Sequence, residues 1–242
     1  MGKGKDREFY GKLAGLVLPI AVQNLMTALV SASDALMLGF LNQDSLSAVS
    51  LASQITFVLN LFYSALTIGT TVLAAQYWGK GDRPSVEQVL AVAVKFSMGV
   101  SAAFFAAALL VPEALMRIFT KEAPLIGLGA SYLRAVSWSY LFMGFSQIYL
   151  CIMKNSGQAF RSTVYGSVSV VLNILLNALL IFGFLGFPQM EIVGAAVATV
   201  IARGAELLLT LAENRKKDVV RLRRKYVFAK NARLRGDFIR YT

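Results

Sequence analysis

The chain has 242 residues, 57% hydrophobic and 15% charged, with a formal net charge of +11 and a mean hydropathy of +0.61. That is more apolar side chain than one water-soluble core can bury, and the basic residues are bunched outside the apolar runs, where they set membrane topology rather than bind nucleic acid. With no histidine and one cysteine, Cys151, intrachain disulfides, Cys/His zinc sites and histidine acid–base chemistry are excluded, and Cys151 reads as a small apolar filler.

Met1 to Lys12 is basic and precedes an apolar stretch, as a secretory signal does, and Ser31-Ala32-Ser33 has the small residues of a cleavage site. The apolar run from Leu13 to Val30 exceeds the ~7–15 residues of a signal core, so it is read as a retained first span. Hydropathy predicts an all-α, polytopic membrane protein, a bundle of six transmembrane helices near 13–41, 45–78, 86–111, 124–153, 162–185 and 192–213. The breaks are Asn42-Gln43-Asp44, Gly79 to Ser85, Pro112 to Ala123, Lys154 to Arg161 and Gly186 to Glu191. At ~1.5 Å per residue the first run would measure ~43 Å against a hydrocarbon core of ~30 Å, so it must tilt, bend or protrude, and Pro19 marks one place for a bend.

Orientation follows from lysine and arginine. Lys3, Lys5, Arg7 and Lys12 precede the first span, Lys80 and Arg83 follow the second, Lys154 and Arg161 follow the fourth, and a basic run follows the sixth. The opposite connections hold only Arg117 and Lys121, so both termini are expected in the cytoplasm, with the protein in the plasma (inner) membrane. Trp78, Tyr77, Trp138 and Tyr140 are candidates for interfacial aromatics, the last two equally for core packing. Lys95 sits where its stem can carry the charge to the cytoplasmic surface, and Arg134 where it can do the same toward the outside. Gly79-Lys80-Gly81-Asp82 lacks the spacing of a phosphate-binding loop and reads as a turn. Residues 1–213 are thus expected as one transmembrane lobe. Residues 214–242 are expected as a basic cytoplasmic linker, solvated or on the lipid surface, leading toward a further lobe. The linker's end, Arg235-Gly236-Asp237-Phe238, echoes Arg7-Glu8-Phe9-Tyr10 before the first span, as in transporters built from two halves.

Asp34 interrupts the first span, and a carboxylate there costs about 3 kcal/mol on insertion scales unless it is paired, hydrated or protonated. Its candidate partners are Asn173 and Asn177, at i and i+4 on the fifth span, and Thr199 on the sixth. Asp34, Asn177 and Thr199 lie seven, eight and seven residues from the predicted outer ends of their spans, all ~10–12 Å below that surface. A carboxylate, amide oxygens and a hydroxyl at one level can hold a hard monovalent cation such as sodium, or exchange it for a proton on Asp34. The competing reading of all four is hydrogen bonding that only joins helices, and Thr199 can bond back to its own helix. Arg203 and Glu206, at i and i+3, read as a pair that lowers the cost of burying both. Gln23, Asn24, Gln54, Asn60, Tyr140 and Gln147 are candidates for a cavity wall or for interhelical hydrogen bonds.

Four stretches together resemble one family. Leu18-Pro19-Ile20 through Ser33-Asp34-Ala35-Leu36-Met37-Leu38-Gly39 and then Leu46-Ser47-Ala48-Val49 resemble the start of multidrug and toxin extrusion (MATE) transporters. Ala74-Ala75-Gln76-Tyr77-Trp78-Gly79-Lys80-Gly81-Asp82, the stretch from Gly157 through Asn173 and Asn177 to Gly183, and Gly194 through Thr199 to Arg203 are similar to the family as well. The likeness implies that this is the N-terminal half of a twelve-helix, two-lobed, non-enzymatic antiporter. Such an antiporter exports cationic, often aromatic drugs against sodium ions or protons and uses no cofactor. It also implies that Asp34, Asn173, Asn177 and Thr199 form the coupling site. Many relatives carry aspartate where Asn177 stands, so the amide lowers the site's charge here. A second lobe or a homodimer would be needed for transport. The alternatives are a lipid-linked saccharide flippase of the same superfamily and a non-transporting fragment whose basic tail docks on anionic lipid or a partner.

Overall fold

The computed structural model describes residues 3–186, 188–216, 218–227 and 232–242; side chains at 3–14, 16, 19, 20, 23, 27, 31, 185, 224, 232 and 233 are outside the described set. The helices are α1 (Lys3–Gly39), α2 (Gln43–Gly79), α3 (Arg83–Leu110), α4 (Pro112–Arg117), α5 (Ala123–Asn155), α6 (Ala159–Phe182), α7 (Glu191–Asn214), α8 (Arg224–Val227) and α9 (Ala232–Tyr241). Among the described residues, α2, α3, α5, α6 and α7 are long and apolar enough to cross a membrane. With α1 they form the expected all-α bundle of six long helices.

Each predicted span is there, with its ends moved. α1 begins ten residues before the expected start because Lys, Arg and Glu are good helix formers and extend the apolar run without a break. It runs unbroken through Pro19. α2 is opened by Asn42, whose side chain accepts from the Ser45 amide at 2.6 Å. α3 is opened by Asp82, which accepts from the Ser85 amide at 3.2 Å and its hydroxyl at 2.5 Å. Those two bonds hold the Asp82 carboxyl below the ordinary carboxylate range. Gly81 turns the chain between α2 and α3 at φ 73°, as a turn at Gly79 to Asp82 requires. The break after α3 contains the short α4, and a single 3-10 turn, Phe184–Gly186, follows Gly183 at φ 71°, where α6 stops.

α5 is the central helix: 72% of its most apolar window is buried, against 33–44% in the other four spans. It packs against α2, α3 and α7, while α1 lies on α6. Tyr140, Ile148, Tyr149 and Ile152 carry α5 into the core. α6 and α7 approach so closely at Gly194 that a Cβ there would stand 2.6 Å from the Leu180 carbonyl oxygen. Because the clash is with backbone, Gly194→Val should cost about 1–3 kcal/mol and lower the melting midpoint of the purified chain in detergent; an unchanged midpoint would refute this close approach.

The tail differs from a free linker. Val219, Val220, Leu234 and Phe238 are buried, Phe238 stacks on Phe96 of α3 at 5.6 Å, and α9 lies along α2 and α3. Tyr149 donates its hydroxyl proton to the Val220 carbonyl at 3.1 Å, and Arg83 donates to the Asp218 carbonyl at 2.5 Å. Buried Glu87 accepts from Arg223 at 2.8 Å and from the Arg221 amide at 3.4 Å. The apolar residues interleaved with the basic ones give this segment a face to bury. Since Glu87 is the acidic anchor, Glu87→Ala should raise tryptic cleavage within 215–225 by roughly tenfold or more, the equivalent of one lost hydrogen bond to a charge. Equal cleavage rates would mean that the anchor lies elsewhere.

Candidate cation and ligand site

Asp34 is carried by α1, Asn173 and Asn177 by α6, and Thr199 by α7. The i, i+4 spacing puts both amides on the face of α6 that meets α7, and both are buried, Asn177 completely. Asn177 Nδ2 donates to Asp34 Oδ1 at 2.5 Å and to Asn173 Oδ1 at 3.3 Å. Asn173 Nδ2 donates to Thr199 Oγ1 at 3.2 Å, and that hydroxyl donates to the Ala195 carbonyl at 3.0 Å. The four side chains therefore form one connected chain across three helices in which Asn177 donates both ways, to the Asp34 carboxylate and, through Asn173 and Thr199, toward the Ala195 carbonyl. Thr199 makes the bond to its own helix and joins the chain as well.

One fully buried atom of the cluster is unsatisfied: Asn177 Oδ1 makes no hydrogen bond among the described residues. Rotation of that amide by half a turn would aim this oxygen at Asp34. Asp34 and Asn177 would then offer lone pairs to a monovalent cation, or accept and donate around a protonated carboxyl. No group of three or more His, Cys, Asp or Glu side chains occurs among the described residues. One carboxylate with neutral oxygens suits a singly charged ion or a proton better than a transition metal.

The cluster forms part of the wall of a cavity of about 550 Å³, within the ~300–1,000 Å³ of ordinary small-molecule sites. Of the candidates for a cavity wall, Asn24, Asn60 and Gln147 line it; the Gln23 side chain lies outside the described residues. Two candidates are elsewhere. Gln54 is exposed, because the cavity stripe of α2 runs Ser53, Phe57, Asn60, Ser64, Thr67, and one residue along a helix is a turn of ~100°. Tyr140 is fully buried behind the wall, its hydroxyl paired with Thr56 at 2.9 Å and its carbonyl accepting from Tyr63 at 3.1 Å. Trp138, by contrast, is 49% exposed and meets Phe105 edge-on. Arg134 pairs with Glu113 of α4 at 2.7 Å, near the surface.

The wall also holds Lys154, Arg203 and Glu206, which the sequence reading treats as a topology charge and a structural pair. The pair exists, with Arg203 Nη1 3.0 Å from Glu206 Oε2. Helical register gives the missing signal: Arg203 and Glu206 are i+4 and i+7 from Thr199, and Lys154 is i+7 from Gln147, so all three share a face with a residue already expected in the wall.

The MatE family model matches residues 19–179. The chain is 26% identical over 204 residues to the probable multidrug resistance protein NorM of Thermotoga maritima, covering 83% of this chain and 44% of that one. It is 30% identical over 200 residues to the probable multidrug resistance protein NorM of Rhizobium meliloti, covering 80% and 40%. A solved structure of a MOP superfamily transporter from Pyrococcus furiosus superposes with a TM-score of 0.84 at 19% identity, covering 95% of this chain and 50% of that one. The chain thus spans about half the length of the curated relatives it matches.

Proposed function

We propose, since this chain belongs to the MatE family, that it is one lobe of a cation-coupled multidrug antiporter, matching the N-terminal half, with both termini in the cytoplasm of the cells' inner membrane. The observation that carries the reading is the hydrogen-bonded chain from Thr199 to Asp34 at the wall of a drug-sized cavity. A sodium ion or a proton at Asp34 competes with Asn177 for the carboxylate, so binding it loosens or reorients the α1–α6 contact. Asn24, Val30 and Asp34 of α1 form one side of the cavity, so a shift of α1 changes the space available to a drug. Coupling then requires only that the ion and the drug prefer different placements of α1. Two lobes around a central cavity would come from a second half or from a second copy of the chain.

The test is export of a fluorescent cationic dye from vesicles containing the chain, with an imposed sodium or proton gradient. Export that follows one gradient and stops when it is collapsed supports the reading and names the ion. Gradient-independent movement of a lipid-linked saccharide in place of the dye would replace it with a flippase activity.

A further inference from the structure

The cavity has a second polar end that the Asp34 cluster does not account for. Along α7, Thr199 and Glu206 are seven residues apart, so this end lies ~10 Å from the Asp34 cluster in the direction of the helix axis. It is formed by Lys154 of α5 and by Arg203 and Glu206 of α7. Lys154 stands one residue from the end of α5. Its Cα–Cβ bond tilts back toward the start of that helix, and its side chain takes part in the cavity wall.

The charges at this end do not balance within the protein. Glu206 is 1% exposed, and its Oε2 is engaged by Arg203, while its Oε1 is buried without a hydrogen bond among the described residues. Lys154 has Glu206 within electrostatic reach but makes no hydrogen bond or ion pair to any described residue. At this end two cations thus face one carboxylate, a local excess of one positive charge; the wall's other carboxylate, Asp34, belongs to the cluster ~10 Å away. A pair kept only to neutralise itself would not need Lys154 beside it, and unpaired charges facing a cavity are satisfied by what enters it.

We propose that Lys154 and Arg203 anchor an acidic group of the ligand, a carboxylate, phosphate or sulfonate, while Glu206 Oε1 accepts from a neighbouring amine or hydroxyl. The cavity then takes acidic or zwitterionic amphiphiles and not cations alone. Zwitterions fit best, with a basic group toward Asp34 and an acidic group toward Lys154. This rests on reading the cavity as a ligand pocket but not on ion coupling.

The experiment is a fluorescence titration of the full chain in phosphatidylcholine nanodiscs, without a gradient, using two probes with the same fluorophore and opposite charge, dansylglycine and dansylcadaverine. Dansylglycine should bind. Lys154→Met and Arg203→Gln should each weaken it by about tenfold or more, the loss of a charge-assisted contact, and neither should weaken dansylcadaverine. Lys154→Arg should keep the binding, and it serves as the test if the methionine variant does not fold. Phosphatidylglycerol that competes in the wild type, but not in Lys154→Met, would identify a lipid headgroup as the natural acid; absence of competition would identify a free ligand. Asp34→Asn should still bind dansylglycine, so a failure of ion coupling and a failure of this site can be told apart. The proposal is overturned if dansylcadaverine binds the wild type at least as tightly while dansylglycine is indifferent to Lys154→Met, or if Asp34→Asn abolishes dansylglycine binding.

Discussion

Asp34→Asn is expected to leave a folded chain whose dye export no longer responds to an imposed ion gradient. Linked sites ordinarily change one another's affinity by ~5–150-fold, and the variant should bring the ratio of export with and without the gradient to about one. The side chains have the same shape, but asparagine carries neither the negative charge that attracts a cation nor an exchangeable acidic proton. Folding should not suffer, because a neutral amide inside a span costs less than a carboxylate, and Asn177 has an unpartnered Oδ1 that can accept from the new amide after half a turn. The measurement is paired: gradient-dependent export in vesicles, and the melting midpoint of the same preparation. Lost coupling with an equal or higher midpoint is the signature expected of a coupling residue. Retained coupling would leave Asp34 as a helix-joining group, and a collapsed midpoint would show that its charge holds the bundle together.

The bundle was legible because each span is a long apolar run closed by polar or turn residues, and hydropathy reads such runs directly. The polar cluster was legible for a related reason. A carboxylate within a span demands partners, and counting residues from the expected outer ends puts Asp34, Asn177 and Thr199 at one depth, where the structure joins them through Asn173. Depth comes from counting along a chain, but the direction a side chain faces depends on how the helices are rotated against one another. That is why Gln54 faces away from the cavity while Asn60, six positions on, lines it.

Charge misled in a different way. Lys154 lies at a helix end, where a lysine is expected for topology alone, and Arg203 with Glu206 forms a pair that looks self-sufficient in one dimension. Helical register puts each of them on a face with an expected wall residue, and the packing of α5 against α7 brings those faces to a common space. The tail was obscured by composition: its basic residues suggest a solvated segment, yet Val219, Val220, Leu234 and Phe238 bury themselves against the bundle, and Glu87, near the start of α3, is placed to receive Arg223. Basic residues there anchor the chain to its own carboxylates.

Asn177→Asp should convert the cluster into a stronger sodium site, tightening sodium binding at pH 8 by about tenfold or more. The amide now donates to Asp34 at 2.5 Å and is fully buried, so the substitution places a second carboxylate in contact with the first. Two such groups cannot both stay charged without a cation or a proton between them, and at ~4 Å an added unit charge is worth several kcal/mol even with an effective dielectric constant near 20. A proton and a sodium ion then compete for the same pair. The sodium-induced rise in melting midpoint should therefore be largest at pH 8 and fade as the pH is lowered toward 5, while without sodium the variant should be less stable than the wild type at pH 8, where nothing compensates the paired charges. Thermal shift titrations with sodium and, as the control for ionic strength, with choline measure both. Equal sodium responses in the variant and the wild type would show that ions do not enter between Asp34 and residue 177, and the cluster would then be a hydrogen-bonded joint between α1, α6 and α7.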